Sequence, residues 1–214
     1  MMQFLILLAL AVTATATVDE DYENQRLAMQ NDDLYDGDMI GISGPFDAER
    51  NVKRGDEFRW PNATVPYVID QTLLIDLLTL FFSCYSAVGR VGGQQTLSLG
   101  VHCRSVGTAI HEMGHALGFY HEHTRSDKDD YVTIYFKNIK EGKEQNFVKL
   151  NPNQNILYTA FDYDSIMIYG NKAFSKDGKS TTVKAKNGQK LLEAFQKKSL
   201  TESDIKKVKK MYKC

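Results

Sequence analysis

The chain has 214 residues, 43% hydrophobic and 25% charged, with a formal net charge of −1. That suits one modest domain plus appendages and excludes a membrane-spanning body, because the longest later apolar run, Leu73 to Phe82, is short and interrupted by Asp76. The near-zero charge hides an asymmetry: residues 19–50 hold ten acids and two bases, whereas residues 51–214 hold seventeen acids and twenty-four bases.

In chain order, Met1 to Val12 is an apolar run followed by the small residues Ala14-Thr15-Ala16, the pattern of a signal peptide over residues 1–17 and hence of a secreted protein. The acidic stretch that follows reads either as a pro-segment, residues 18–50, drawn to a basic body by long-range attraction, or as a solvated leader. Within it, Tyr35-Asp36-Gly37-Asp38-Met39 has turn composition. Arg50-Asn51 and the bond after Lys53-Arg54 are alternative maturation sites, opening a domain over residues 51–214. Asn62-Ala63-Thr64 is an N-glycosylation acceptor. Val65 to Asp70 and Thr96 to Leu99 read as strands, Leu80-Phe81-Phe82 as a candidate strand, and Val106 to Phe119 as a helix with Ser105 or Thr108 near its start. Thr133 to Phe136 is a short strand or irregular, Lys140 to Leu150 is helical, and residues 151–190 are turns and short strands. A last helix opens at Thr201, with Asp204 three residues on; Ile205, Val208 and Met211-Tyr212 form its core stripe and the surrounding lysines a solvated face.

The chemistry lies in the helix over residues 106–119. His111 and His115 are one turn apart on one face, with Glu112 beside them, and two nitrogens so placed can hold one zinc ion. A continuous helix would carry His121 about 15 Å beyond His111. Gly118 can take positive φ, end the helix and return His121 to the metal. Three imidazoles with an open position for water make a catalytic zinc site. The competing reading of His-Glu-x-x-His alone is an ordinary helix face. His102 and His123 lack ligand spacing and read as surface or hydrogen-bonded histidines.

The stretch from His111 through Gly118-Phe119-Tyr120-His121-Glu122 to Val132, together with Ser165-Ile166-Met167-Ile168-Tyr169, resembles the astacin family of secreted zinc endopeptidases, within the metzincin clan. Glu122 directly after the third histidine is the family's mark, and Ile168 stands where the family usually has His. The resemblance implies an α+β fold: a two-lobed catalytic domain with a small twisted sheet, an active-site helix and an irregular C-terminal lobe closed by a final helix. It implies zinc held by His111, His115 and His121, Glu112 as general base, Tyr169 as the residue that ligates zinc at rest and turns to the oxyanion, and Met167 beneath the metal. Tyr35-Asp36-Gly37-Asp38 resembles the family's pro-segment motif, which makes Asp38 the zinc ligand of the zymogen. The freed N-terminus would reach Glu122. The resemblance also implies a Cys84–Cys103 bridge, which leaves Cys214 free or available for an intermolecular disulfide. The expected partner is a protein or peptide substrate bound extended along an edge strand; neither nucleic acid nor, after signal removal, a membrane is expected. Between Asp70 and Cys84 the chain is shorter than the family, and the first long helix is missing. The alternative function is therefore an inactive or poorly folded zinc-binding variant acting as a binding protein.

Overall fold

A computed structural model describes residues 20–42, 56–69 and 83–214 of the chain. The expectations for the signal peptide, the two maturation bonds, Leu80-Phe81-Phe82 and the shortened interval lie outside those residues.

Residues 20–28 form helix α1. A tight turn follows, in which Asp36 and Gly37 both take left-handed backbone conformations, with φ of 50° and 82°. Gly37 is required there, because a Cβ would lie 2.8 Å from both the Met29 carbonyl oxygen and the Phe174 ring. The turn leads into strand β1 (Met39–Ile40), which pairs in parallel with β2 (Cys84–Ala87). On its other edge β2 pairs antiparallel with β3 (Leu97–Leu99). Residues 20–42 are thus built into the body: Met29 packs with Cys84 and Cys103, and Tyr35 and Met39 pack with Phe119, Ile166 and Met167. Charge assists at the surface, where Asp32 meets Lys140 at 2.5 Å and Lys143 at 3.2 Å; exposed pairs of this kind contribute about 1 kcal/mol or less.

Helix α2 (Val106–Leu117) packs across β2 and β3 and against the turn Ala194–Gln196. Ser105 caps its start, accepting the Thr108 amide at 3.0 Å. Gly118, at φ 111°, closes its end: its amide donates to the His115 carbonyl and that of Phe119 to the Gly114 carbonyl. Residues 56–60 dock near this end. The Trp60 indole donates to the Ala116 carbonyl at 2.9 Å, the Arg90 amide to the Phe58 carbonyl at 3.0 Å, and Lys213 pairs with Asp56 at 3.1 Å.

The second lobe holds the antiparallel pair β4 (Val132–Ile134) and β5 (Val183–Ala185) around a core that includes Phe147, Phe161, Ile168 and Phe174; turns and single 3-10 turns make up the rest. Helix α3 (Glu202–Tyr212) returns to the first core through Met211. Thr201 and Asp204 form the reciprocal cap that their spacing predicts. Cys84 and Cys103 are bonded, with Cα atoms 5.6 Å apart, and Cys214 is an exposed free thiol.

Three expectations need correction. Residues 65–69 join no ladder among the described residues, and Tyr67, Val68 and Ile69 are exposed; Pro66, moreover, has no N–H to offer a partner strand. Residues 140–150 are not a helix but a turn followed by a single 3-10 turn, Glu144–Phe147, because Gly142 takes φ 80°, which no helix accommodates. The lysines of α3 are not all solvated, since Lys207 is buried.

Candidate metal centre

Helix α2 presents His111 and His115 on one face, and the reversal at Gly118 brings His121 back to them. The Nε2 atom of His111 lies 3.1 Å from that of His115 and 3.2 Å from that of His121. Asp38 closes the group, with Oδ2 at 3.2 Å from the Nε2 atoms of His111 and His121 and Oδ1 at 3.4 Å from that of His115. All four side chains are buried. A tetrahedral zinc with arms of about 2.0–2.1 Å requires donor separations of about 3.3–3.4 Å, close to those found.

Proton bookkeeping argues for a cation. The Nδ1 atoms of His111 and His115 face the carbonyl oxygens of Ile166 and Phe119, each at 2.8 Å, and a carbonyl only accepts, so both Nδ1 atoms carry hydrogen. His121 turns its Nδ1 to the Asp36 carboxylate at 3.0 Å. Three Nε2 lone pairs and a carboxylate therefore converge on one point, an arrangement that holds together only around a positive charge. Without a metal that charge is a proton. Burial pulls the pKa of His121 down, but the charges of Asp38 and Asp36 more than offset it and hold it at about 9. Burial, with the neighbouring imidazoles, pushes His111 down to about 4 in spite of Asp38. Burial opposes ionisation of Asp38, yet the surrounding histidines hold its carboxyl well below the usual range.

Glu112 is fully buried, and both of its oxygens lack a hydrogen-bond partner among the described residues. Burial, and then the charge of Asp38, push its pKa well above the ordinary carboxylate value. The Tyr169 hydroxyl donates to the Asp36 backbone carbonyl in a short contact, so its phenol is tied to residues 20–42 and does not join the four converging side chains. Its ring stacks on His123 at 4.0 Å and leans on His121 at 4.4 Å. Met167 lies against Gly114 of α2, where a Cβ would come within 2.6 Å of its sulfur. The turn carrying Met167 is pinned from α3, because Asp204 accepts the Ser165 hydroxyl at 2.7 Å and the Ile166 amide at 2.9 Å.

Two participants, Asp36 and Lys207, escape a reading of the sequence alone. Asp36 grips the back of His121; its signal was the repetition of Asp across Gly37. His123 is the hydrogen-bonded histidine of the two alternatives, buried and bonded through Nε2 to the Asn146 carbonyl at 3.1 Å. Glu122 has cationic partners within the described residues: Oε1 accepts from Arg125 at 2.8 Å and the Asp162 amide at 3.0 Å, and Oε2 accepts from Lys207 at 2.8 Å. Positions 204, 207 and 211 share one helical face, which is the signal that places Lys207 inside.

Comparison with known proteins agrees with this geometry. The family model for astacin, a peptidase family, matches residues 74–213. Astacin-like metalloprotease toxin 1 of Loxosceles intermedia is 39% identical over 214 aligned residues, covering 85% of this chain and 81% of the toxin. Astacin-like peptidase p16 of Argiope aurantia is 47% identical over 128 residues, covering 60% of this chain and 97% of the peptidase. Among solved structures, high choriolytic enzyme 1, a hatching enzyme zinc-protease from Oryzias latipes, superposes with a TM-score of 0.56 at 40% identity, covering 62% of this chain and 65% of that one. With a converging His/Asp cluster on an α+β body and a family match over most of its length, the chain belongs to the astacin family of zinc metalloendopeptidases.

Proposed function

We propose that the chain is the zymogen of a secreted endopeptidase in which His111, His115 and His121 hold zinc, Glu112 is the general base, and residues 18–50 block the site until they are removed. The observation that carries the reading is the convergence of three Nε2 lone pairs at 3.1–3.2 Å beside a buried glutamate that has no other partner among the described residues. Zinc, when bound, supplies a Lewis acid that acidifies water and polarises the scissile carbonyl. Glu112 takes the proton of the attacking water and passes it to the leaving amine. Tyr169, released from the Asp36 carbonyl when the leader departs, becomes a hydrogen-bond donor for the oxyanion, and a donor of that kind contributes about 2.7–4 kcal/mol. Met167 and the Asp204 anchor keep the floor of the site fixed. Asp38 occupies the corner that water needs, and the leader strand β1 covers the edge of β2, where an extended peptide would lie.

The test is Glu112→Ala in the matured protein. It should keep one equivalent of zinc and lose peptidase activity by about 10²-fold or more. A variant that cleaves a generic peptide as fast as its parent overturns the mechanism.

A further inference from the structure

Asp36 is fully buried, and its place in the turn is costly. It sits in a left-handed conformation at φ 50°, and its Oδ1 has no hydrogen-bond partner among the described residues. Such features persist where the surroundings over-determine them, commonly at functional sites. Its side-chain hydrogen-bond partner among the described residues is the Nδ1 atom of His121, at 3.0 Å. The histidines are not treated alike. His111 and His115 rest their Nδ1 atoms on backbone carbonyls of the body, whereas His121 rests its own on a carboxylate supplied by residues 20–42. Asp36 and Asp38, separated only by Gly37, thus hold the two nitrogens of one ring from opposite sides. A carboxylate behind a metal-bound imidazole fixes its tautomer and orientation and makes it a stronger ligand, and losing such a partner typically costs 10–100-fold in metal affinity.

We propose that Asp36 makes the leader a metal-retention element: it strengthens His121 as a ligand, so that the uncleaved chain holds zinc more tightly than the contact of Asp38 alone provides. The proposal rests on the zinc reading above. On maturation that reinforcement leaves with the leader, and His121 then depends on whatever replaces the carboxylate at Nδ1.

The experiment is chelator competition for zinc on the full chain, comparing the parent with Asp36→Ala, Asp36→Asn, Asp38→Ala and the Asp36→Ala/Asp38→Ala double variant. Asp36→Ala should raise the zinc dissociation constant by about 10–100-fold. Asp36→Asn, whose amide oxygen still accepts from Nδ1–H, should recover part of the loss. The double variant should bind more weakly than Asp38→Ala. Cobalt in place of zinc should show a shifted visible spectrum in Asp36→Ala, a signature that a purely structural turn residue would not produce. A dissociation constant within twofold of the parent in both single variants at Asp36 overturns the proposal, as does a double variant equal to Asp38→Ala, because Asp36 would then act only by placing Asp38. If Asp36→Ala does not fold, the Asn variant decides: unchanged affinity overturns, partial loss supports. A parent that holds no equivalent of zinc overturns the zinc reading itself, an outcome distinct from the other two.

Discussion

Lys207→Met isolates the buried ion pair behind the third histidine. The side chains of Lys207 and Glu122 are 10% and 5% exposed, and Nζ lies 2.8 Å from Oε2. Breaking a buried pair from one side usually costs 3–5 kcal/mol, because the surviving charge is stranded. Here the stranding is partial, since Arg125 and the Asp162 amide still satisfy Oε1. One charged hydrogen bond and one bare oxygen put the cost at about 2–3 kcal/mol. For a chain of this size that lowers the melting temperature by about 4–12 °C. Glu122→Gln should cost a similar amount: it removes the charge facing both Lys207 and Arg125, but Lys207 keeps Asp204 at 3.4 Å and Arg125 keeps Asp127 at 2.8 Å. The double variant should be more stable than the two single losses sum to, by about 1.5–3 kcal/mol. Thermal unfolding of the full chain in chelator reads this out without metal linkage. A coupling below about 0.5 kcal/mol would place the pair with ordinary surface bridges and refute the reasoning.

Two further expectations concern the helix and the metal. Gly107→Ala would set a Cβ 1.9 Å from the Ala194 carbonyl oxygen, so α2 or the turn Ala194–Gln196 must shift by more than about 1 Å. Overpacking of this sort costs about 1–3 kcal/mol, and His111 lies one turn further along; melting temperature and zinc affinity should both fall, and an unchanged pair of values would contradict the packing. With His121 held at about 9, zinc must displace its proton at neutral pH. Zinc affinity of the full chain should rise roughly tenfold per pH unit from about pH 7 and level off near pH 9, as chelator competition would show; a flat profile would remove the assigned proton.

The metal cluster was legible because its signals are local. Offsets of four along a helix, a glycine that can reverse the chain and a polar cap at Thr201 each act through backbone geometry within a few residues. What escaped depends on contacts distant in sequence. Lys207 reads as one more exposed lysine until the packing of α3 sets it against Glu122, 85 residues earlier. Asp36 reads as a turn former until the leader docks and turns it onto His121. The apolar run at residues 65–69 promises a strand, but a strand exists only where a partner supplies a ladder. The segment 140–150 has helical composition, and one glycine at positive φ outweighed it.

The docking of residues 56–60 has a geometric corollary. Asp56 and Trp60 are fastened to the C-terminal ends of α3 and α2, and Phe58 to the Arg90 amide after β2, so any terminus created upstream is on a leash. Scission after Arg50 leaves five residues before Asp56, a maximum radius of about 17 Å. Scission after Arg54 leaves one, a radius of about 4 Å. The choice of bond therefore decides whether the new α-amine can roam toward the interior or stays moored beside its anchor.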